Sequence, residues 1–164
     1  MDPIRPAAAV STEQILAYAG ALYEIAHEGG WISAEQVNLT QHQALRWSLI
    51  SACNPRSQRL PDALNATRQL QLRDRIEAAG VHWRPARGRS ADFSWVEPGF
   101  LVAAELHLVD CWARSFEQQA IWMPATATAP AIMRIYAPDP GAEHRLHLPH
   151  VRLEWVGFGP SPPE

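Results

Sequence analysis

Apolar residues in this chain fall into short runs separated by clusters of Gly, Pro and polar residues. Helical spacing of the apolar residues, together with capping residues, predicts helices. The predicted helices run from Ser11 or Thr12 to about residue 23, from Ser33 toward Ala44, from Pro61 to Ala79 and from about Glu105 to Ser115. Continuous apolar runs predict strands. The predicted strands are residues 45–53, 81–84, 100–104, 120–123 and 131–136, with 151–155 as one further candidate.

Two stretches do not follow this regular pattern. Residues 22–25 fit either the end of the first helix or a strand, because apolar content over so few residues does not distinguish the two. Residues 85–93 carry Arg, Gly and Pro, and this composition predicts a mobile loop. Residues 95–99 are then expected to lead into the strand at 100–104.

The run from Leu45 to Cys53 is the most informative of the predicted strands. It is apolar on both faces apart from Arg46, Ser48 and Ser51, as is typical of a strand covered on both sides. We therefore expect it near the middle of the sheet. The whole pattern predicts a single-domain α/β or α+β fold, with helices packed on a mixed, twisted β-sheet.

The length of 164 residues fits one domain. We expect a disordered tail over residues 1–10 and a single α/β domain over residues 11–137. Residues 138–164 are rich in Pro and His, and we expect a C-terminal extension there that could add one strand to the sheet.

Charge and composition narrow the possible partners and the location. The net charge is −3 and the chain has no Lys, so no broad basic field would attract nucleic acid and a nucleic-acid partner is not expected. No apolar run approaches the ~20 residues of a membrane span, so no membrane partner is expected. Two cysteines are too few for a disulfide framework, and the start of the chain lacks the features of a signal peptide. These features predict a cytoplasmic protein.

Asn54-Pro55-Arg56-Ser57 follows the central strand and is the first candidate site. Asn tolerates unusual turn conformations, Pro fixes the backbone, and the planar guanidinium group of Arg can bind a carboxylate or a phosphate. The start of the helix at Pro61 lies close by and favours anion binding. In the alternative interpretation, Asn54 satisfies turn amides, and Arg56 pairs with Glu97 or lies in solvent.

The helix that follows contributes two more candidates. Leu72, Ile76 and Ala79 mark its inward stripe, and the same stripe extended backward reaches Arg68 and Asn65. Both should therefore point toward the Asn54 turn. A core-facing Arg needs an anion or several carbonyls, because burying it unpaired is costly. One hypothesis is an internal salt bridge between Arg68 and Glu97, and the other is that Glu97 fixes Arg68 beside a donor-lined ligand pocket.

Glu97 lies among apolar and Trp residues, so its pKa could be raised enough for proton transfer. The alternative is a role as an ion-pair partner. Cys53 is expected to be a buried, inert thiol. His144, His147 and His150 lie in a Pro-rich segment without other ligands at suitable spacing, so we predict neither a metal site nor a cofactor.

Taken in order, these segments resemble a bacterial family known as domain of unknown function 3293. The resemblance covers roughly residues 18–136, and Phe116 to Ala120 is similar to a family Phe-Gly-Gln-Asn-Ala pattern. Gln118 matches the family Gln, Cys53 stands where the family has Trp, and Pro61 replaces a Ser-type cap. The tail beyond Ala137 has no family counterpart. The resemblance implies a compact intracellular α/β domain and no established activity.

The preferred prediction is an uncharacterised protein that binds a small anionic or nucleotide-like ligand at one sheet edge. Arg56 would take the anion, and Asn54 and Asn65 would orient it. Glu97 would position Arg68. The expected ligand-binding residues are Asn54, Arg56, Ser57, Asn65, Arg68 and Gln118, with Glu97 as the candidate catalytic residue.

Two alternatives from other classes stay open. One is a hydrolase or transferase that uses Glu97 as a general base. The other is a protein interaction module in which the polar cluster is purely structural. Exposed Trp31, Trp122 or Trp155 would then provide the contact with an oligomer or another protein partner.

Overall fold

A computed structural model describes residues 9–37, 39 and 46–157. The described residues form one mixed sheet of eight strands with three α-helices packed on it. The helices are α1 (Thr12–Ala19), α2 (Asp62–Ala78) and α3 (Leu106–Ser115). The strands are β1 (Leu22–His27), β2 (Gly30–Ser33), β3 (Trp47–Ile50), β4 (His82–Arg89), β5 (Val96–Ala103), β6 (Ala120–Met123), β7 (Ala131–Ile135) and β8 (Val151–Trp155). The predicted single-domain fold with a mixed sheet is confirmed, in its α+β form.

The order of the strands across the sheet is β2-β1-β4-β5-β3-β6-β7-β8. All neighbouring strands are antiparallel except β7 and β8, which are parallel. β3 lies between β5 and β6, and all four of its residues are buried. Its predicted place near the middle of the sheet is therefore confirmed. The C-terminal strand predicted at 151–155 is also confirmed, as β8.

Two hydrophobic clusters cover the two faces of the sheet. On one face, apolar side chains of α2 and α3 pack against alternate residues of β3 and β5, including Ile50, Phe100 and Val102. On the opposite face, α1 contributes Ile15, and the intervening residues of the same strands, such as Leu49 and Leu101, face that side. β3 and β5 are therefore covered on both faces.

The ends of α1 and α2 follow the sequence closely. Ser11 caps α1 with a full capping box, in which its hydroxyl oxygen accepts from the backbone N–H of Gln14 and the Gln14 side chain accepts from Ser11 N–H. α2 begins directly after Pro61 and ends before Gly80, which has a φ of 65°. Both predicted helices are confirmed, except that the first stops at Ala19 and residues 22–25 belong to β1.

Other predictions are corrected by the structure. Only a short 3-10 helix, Ala34–Gln36, follows Ser33, and the rest of the helix predicted toward Ala44 lies almost wholly outside the described residues. β2 is an additional strand that the sequence prediction omitted. β3 ends at Ile50, although residues 51–53 stay buried, and Leu45 lies outside the described residues. The tail predicted over residues 1–10 also lies mostly outside them.

The largest correction concerns residues 85–93, of which the first five belong to β4 rather than to a mobile loop. Pro85 lacks a backbone N–H and should weaken a strand between two others. The pairing of β4 with β1 ends at Ala86, so Pro85 needs no donor on that side. Arg84 donates from its side chain to the Ala26 carbonyl at 3.0 Å. Pro98 similarly lies inside β5, beyond the last residue pair of β5 with β3.

No helix among the described residues combines the length and the apolar character that crossing a bilayer requires. Trp122, expected as a possible exposed contact, is buried with 5% of its surface accessible, because it lies on β6 in the core. Trp31 on edge strand β2 is 41% exposed. Trp155 is partly buried against the core.

Candidate functional site

The turn after β3 is held in an unusual backbone conformation. Asn54 is left-handed, with φ 46° and ψ 63°, and Arg56 and Ser57 also have positive φ. Asn is among the few non-glycine residues that adopt this region readily, which explains its presence at the first of these positions. A 3-10 turn, Pro55–Ser57, follows at once and directs the chain toward α2.

The Asn54 side chain is the centre of the site. Its Oδ1 accepts from the Leu60 backbone N–H at 3.0 Å and from Asn65 Nδ2 at 2.8 Å. Its Nδ2 donates to Glu97 Oε2 at 2.8 Å, and its backbone N–H donates to Asn65 Oδ1 at 2.9 Å. The two Asn side chains therefore lock the turn, α2 and β5 together. This is the convergence that the helix stripe predicts for Asn65.

Arg68 also points toward the turn, but it binds backbone carbonyls. Its Nε donates to the Ala52 carbonyl at 2.7 Å and its Nη2 to the Phe116 carbonyl at 2.6 Å. No ion pair joins Arg68 to Glu97 in the part of the chain that the structure describes, so the predicted pairing is wrong. Arg68 instead links the exit of β3 to the end of α3, which satisfies two carbonyls that secondary structure leaves free.

The Arg56 side chain forms an ion pair outside the group of side chains around Asn54. Its Nη2 lies 2.6 Å from Glu117 Oε2, and its backbone N–H donates to the Glu117 carbonyl at 2.8 Å. The side chains are 51% and 42% exposed. The alternative of pairing with Glu97 is wrong, because Glu117 follows α3 and lies beside the turn. Arg56 does lie at the solvent-exposed surface, where it is paired with Glu117.

The two glutamines after α3 attach the same segment to the turn. Gln118 Nε2 donates to the Cys53 carbonyl at 2.9 Å and to the Phe116 carbonyl at 3.2 Å. Gln119 Oε1 accepts from Ser57 Oγ at 2.6 Å and from the Tyr18 hydroxyl at 3.1 Å. Gln119 was not singled out from the sequence, although its neighbour Gln118 was. Tyr18 was missed too, because it belongs to a helix remote in sequence.

Glu97 lies near the start of β5, with its side chain directed toward the face of α1. Burial raises the pKa of its carboxyl above the ordinary value, and hydrogen bonds from Asn54 and Ser51 counteract part of that rise. Ser51 is itself tied to β5, since its hydroxyl donates to the Pro98 carbonyl at 2.9 Å. β3 and β5 thus place Asn54 and Glu97 in contact.

Aromatic rings lie close to the position opposite Glu97. Gly88 lies directly opposite Glu97 on β4, and a Cβ at that position would come within 3.3 Å of both the Trp95 and the Tyr23 rings. Tyr23 stacks on Trp122 with centroids 4.5 Å apart. Burial, followed by the negative charge of Glu97, raises the pKa of Tyr18 to about 12. Burial is also the main cause that raises the pKa of Tyr23.

A cavity of about 880 Å³ opens beside this cluster. Five of the predicted site residues line it: Asn54, Ser57, Asn65, Glu97 and Gln118. Arg56 and Arg68 do not. Among the described residues that line the cavity, Arg59 is the only Arg, and it is exposed. The sequence therefore located five polar residues of the wall, but it missed others such as Gln119, and it placed Arg56 and Arg68 in a site that they do not line.

The remaining candidates have little reactivity. Burial raises the pKa of the Cys53 thiol to about 11, so it stays protonated and weakly nucleophilic at neutral pH. Within the described ranges, no three His, Cys, Asp or Glu side chains are grouped so that they could hold a metal ion.

Comparison with curated proteins finds no match, and comparison with solved structures finds none either. A family model does match, over residues 50–121. This segment runs from the end of β3 to β6 and is narrower than the residues 18–136 of the predicted resemblance. It contains all seven predicted site residues. The resemblance is confirmed over residues 50–121, where the chain matches the family described as "Protein of unknown function (DUF3293)".

Proposed function

We propose that this protein binds a small, nucleotide-like ligand in the cavity beside Glu97. The cavity carries this proposal. Its volume of about 880 Å³ lies within the roughly 300–1,000 Å³ of small-molecule sites. Its wall combines aromatic rings with amide and hydroxyl groups, a mixture that suits a flat heterocycle with polar edges.

The polar groups of the wall are held in place before any ligand arrives. Asn54 and Asn65 bind one another through two hydrogen bonds, and Gln118 is tied to backbone carbonyls. Side chains fixed in this way lose little entropy when a ligand binds, which favours affinity and selectivity. Tyr18, Tyr23 and Trp95 supply the flat apolar surface.

A phosphate would bind elsewhere than on Arg56, which is occupied by Glu117 and lies outside the cavity wall. Arg59 is the cationic residue of the wall, and its exposure places it toward solvent. We therefore infer that the base of a nucleotide enters the cavity and that its phosphate stays near Arg59.

The test is a thermal-shift and titration screen of nucleosides and nucleoside monophosphates with two matched variants. Ala66 is exposed on α2 and lines the cavity, whereas Ala63 is exposed on the same helix and does not line it. Ala66→Trp should project an indole ring into the cavity, obstruct the ligand and abolish ligand-induced stabilisation, which mass action produces when a ligand binds the folded state. Ala63→Trp should respond to ligand as the natural chain does. Equal responses of the two variants, or no nucleoside binding at all, would refute the proposal.

Proton transfer by Glu97 is a second candidate, because a carboxyl with a raised pKa lines a cavity and has no cation paired with it among the described residues. Such a group is suited to general acid or base catalysis. If the protein is a hydrolase or transferase of this kind, the natural chain should convert a bound ligand. The Glu97→Gln variant should bind the same ligand without converting it. Unchanged ligand after long incubation with the natural chain would exclude it.

A further inference from the structure

We propose that Glu97 binds a planar group that presents two neighbouring N–H donors, as a guanine-type base edge or an amidinium or guanidinium group does. The inference rests on the proposed function, since it names the chemistry of the ligand in the same cavity. It also reverses the charge expected from the sequence. The part of the ligand that enters the cavity is a donor edge rather than an anion.

Glu97 differs from the other inward-facing carboxylates in lacking an arginine partner within the described part of the chain. Glu24 is bound by Arg87 at 2.6 Å and by Arg89 at 2.9 Å. Asp110 is bound by Arg134 at 2.8 Å. No ion pair among the described residues includes Glu97, and the side chain that donates a hydrogen bond to its carboxylate is the neutral Asn54, with the neutral Ser51 beside it. Keeping a carboxylate desolvated without a cation costs free energy. A ligand that supplies hydrogen-bond donors to Glu97 recovers part of that free energy when it binds.

The geometry of the carboxylate supports two donors rather than one. A carboxylate offers about four lone-pair positions on its two oxygens. Asn54 Nδ2 occupies one position on Oε2 and holds the group in place, while the carboxylate still faces the cavity. Two parallel N–H groups match a carboxylate in the bidentate manner known from Arg, which gives both strength and orientation.

The surroundings favour a flat group. Gly88 leaves the position opposite Glu97 without a side chain, and the Trp95 and Tyr23 rings close over it. Rings of this kind attract planar heterocycles, and they attract cations through their π-electrons. Arg59 is the only cationic side chain among the described lining residues and is exposed, so it does not compete for Glu97.

The test uses benzamidine, benzamide and benzoate, three flat probes of nearly equal shape. Benzamidine carries two donors and a positive charge, benzamide has one amide group, and benzoate is an anion. We expect benzamidine to bind the natural chain at least about tenfold more tightly than either of the others, as a charge-assisted bidentate contact requires. Glu97→Gln should reduce this preference to within about twofold. Asp62→Asn, which removes the other carboxylate of the wall, should preserve it.

A second measurement does not depend on the folding of the Gln variant. In the natural chain, benzamidine affinity should fall as the pH drops through the raised pKa of Glu97, because protonation removes an acceptor and the charge. Benzamide affinity should stay constant. The titratable groups that interact electrostatically with Glu97 are Tyr18, Tyr23 and Cys53, and their pKa values are all raised well above this range. Asp62 also lines the cavity, and its Asn variant should show the same fall.

Guanosine and inosine distinguish the two sources of the donor edge, since they differ only in the 2-amino group that completes it. Tighter binding of guanosine, lost in Glu97→Gln, assigns the edge to a base. If guanosine and inosine bind equally and benzamidine is still preferred over benzamide and benzoate, the donor edge belongs to a charged amidine-type ligand. Tight binding of benzoate, or a benzamidine preference that survives Glu97→Gln, overturns the inference. The proposed function would still stand if nucleosides bound and Ala66→Trp blocked them.

Discussion

Glu97 shows how one residue couples stability to the site. Its carboxyl is charged in water but is mostly removed from water in the fold, so folding favours the protonated form. The hydrogen bond that Asn54 donates to the carboxylate compensates for part of this cost. A group held at some cost to stability is the kind of feature that a binding site retains.

The pH dependence of stability should therefore have a defined sign. The contribution of Glu97 to the free energy of unfolding is most favourable below its unfolded pKa of about 4.3. This contribution is lost as the pH rises through the raised pKa of the folded state. The stability of the natural chain relative to Glu97→Gln should fall over that window and then level off. Urea unfolding at a series of pH values measures this difference.

Asp110→Asn provides the control with the opposite sign. Hydrogen bonds and charge from Arg134 lower the pKa of Asp110 despite its burial. The stability of the natural chain relative to this variant should therefore rise with pH as Asp110 ionises in the unfolded state. A Glu97 difference that is flat, or that rises with pH, would contradict the assigned direction.

The residues that could be predicted were those fixed by local pattern. Asn54 follows an apolar run, and Asn65 continues the stripe of α2, so their meeting needed only the helix period. The partners of Arg56 and Arg68 could not be predicted in this way. Glu117 and the Phe116 carbonyl reach the turn only because α3 ends beside it, and chain positions so far apart leave no periodic signal.

The helices and strands also divide into those that a local sequence pattern predicts and those that depend on distant neighbours. α2, α3, β6, β7 and β8 contain no Pro, and their predicted ranges agree with the structure to within a few residues. β4 and β5 contain Pro85 and Pro98, so the last residues of β4 were predicted as a loop and the first residues of β5 were not included in the predicted strand. Each Pro falls where strand pairing on one side has ended, and that condition depends on neighbours rather than on sequence.

The contact between β5 and β3 depends on Gly99. A Cβ at this position would lie 2.7 Å from the Ile50 carbonyl oxygen, a backbone atom that cannot move without shifting β3. We expect Gly99→Ala to reduce the free energy of unfolding by about 1–3 kcal/mol, as overpacking does. Chemical denaturation followed by Trp fluorescence gives this value.

Gly30→Ala is the matched control, because Gly30 also lies in a strand and its nearest neighbour is an oxygen at an ordinary 3.8 Å. Its unfolding free energy should change by no more than about 0.5 kcal/mol. A Gly99→Ala variant as stable as Gly30→Ala would show that β3 and β5 do not approach as closely as described.

At the scale of the whole molecule, two charged clusters hold regions on either side of the central strands. Glu24 of β1 joins Arg87 and Arg89 of β4. Arg134 of β7 joins Asp110 of α3 and Glu154 of β8. β5, β3 and β6 lie between the two clusters. At the ~4.8 Å spacing of neighbouring strands, β4 and β7 are roughly 19 Å apart. The two charged clusters therefore share no residue, and they are coupled energetically only through cooperative folding of the sheet.

Glu24→Gln should lower the unfolding free energy by about 2–4 kcal/mol, because it removes the charge that Arg87 and Arg89 share. Asp110→Asn should lower it by a smaller amount, because Arg134 keeps its ion pair with Glu154. Sites this far apart act independently, so the double variant should lose the sum of the two effects to within about 0.5 kcal/mol. Urea unfolding followed by Trp fluorescence and by far-UV circular dichroism measures all three variants. If the eight strands form one cooperative unit, the two signals should coincide in each. Separate transitions, or a coupling energy above about 1 kcal/mol, would mean that the two ends of the sheet unfold separately or interact directly.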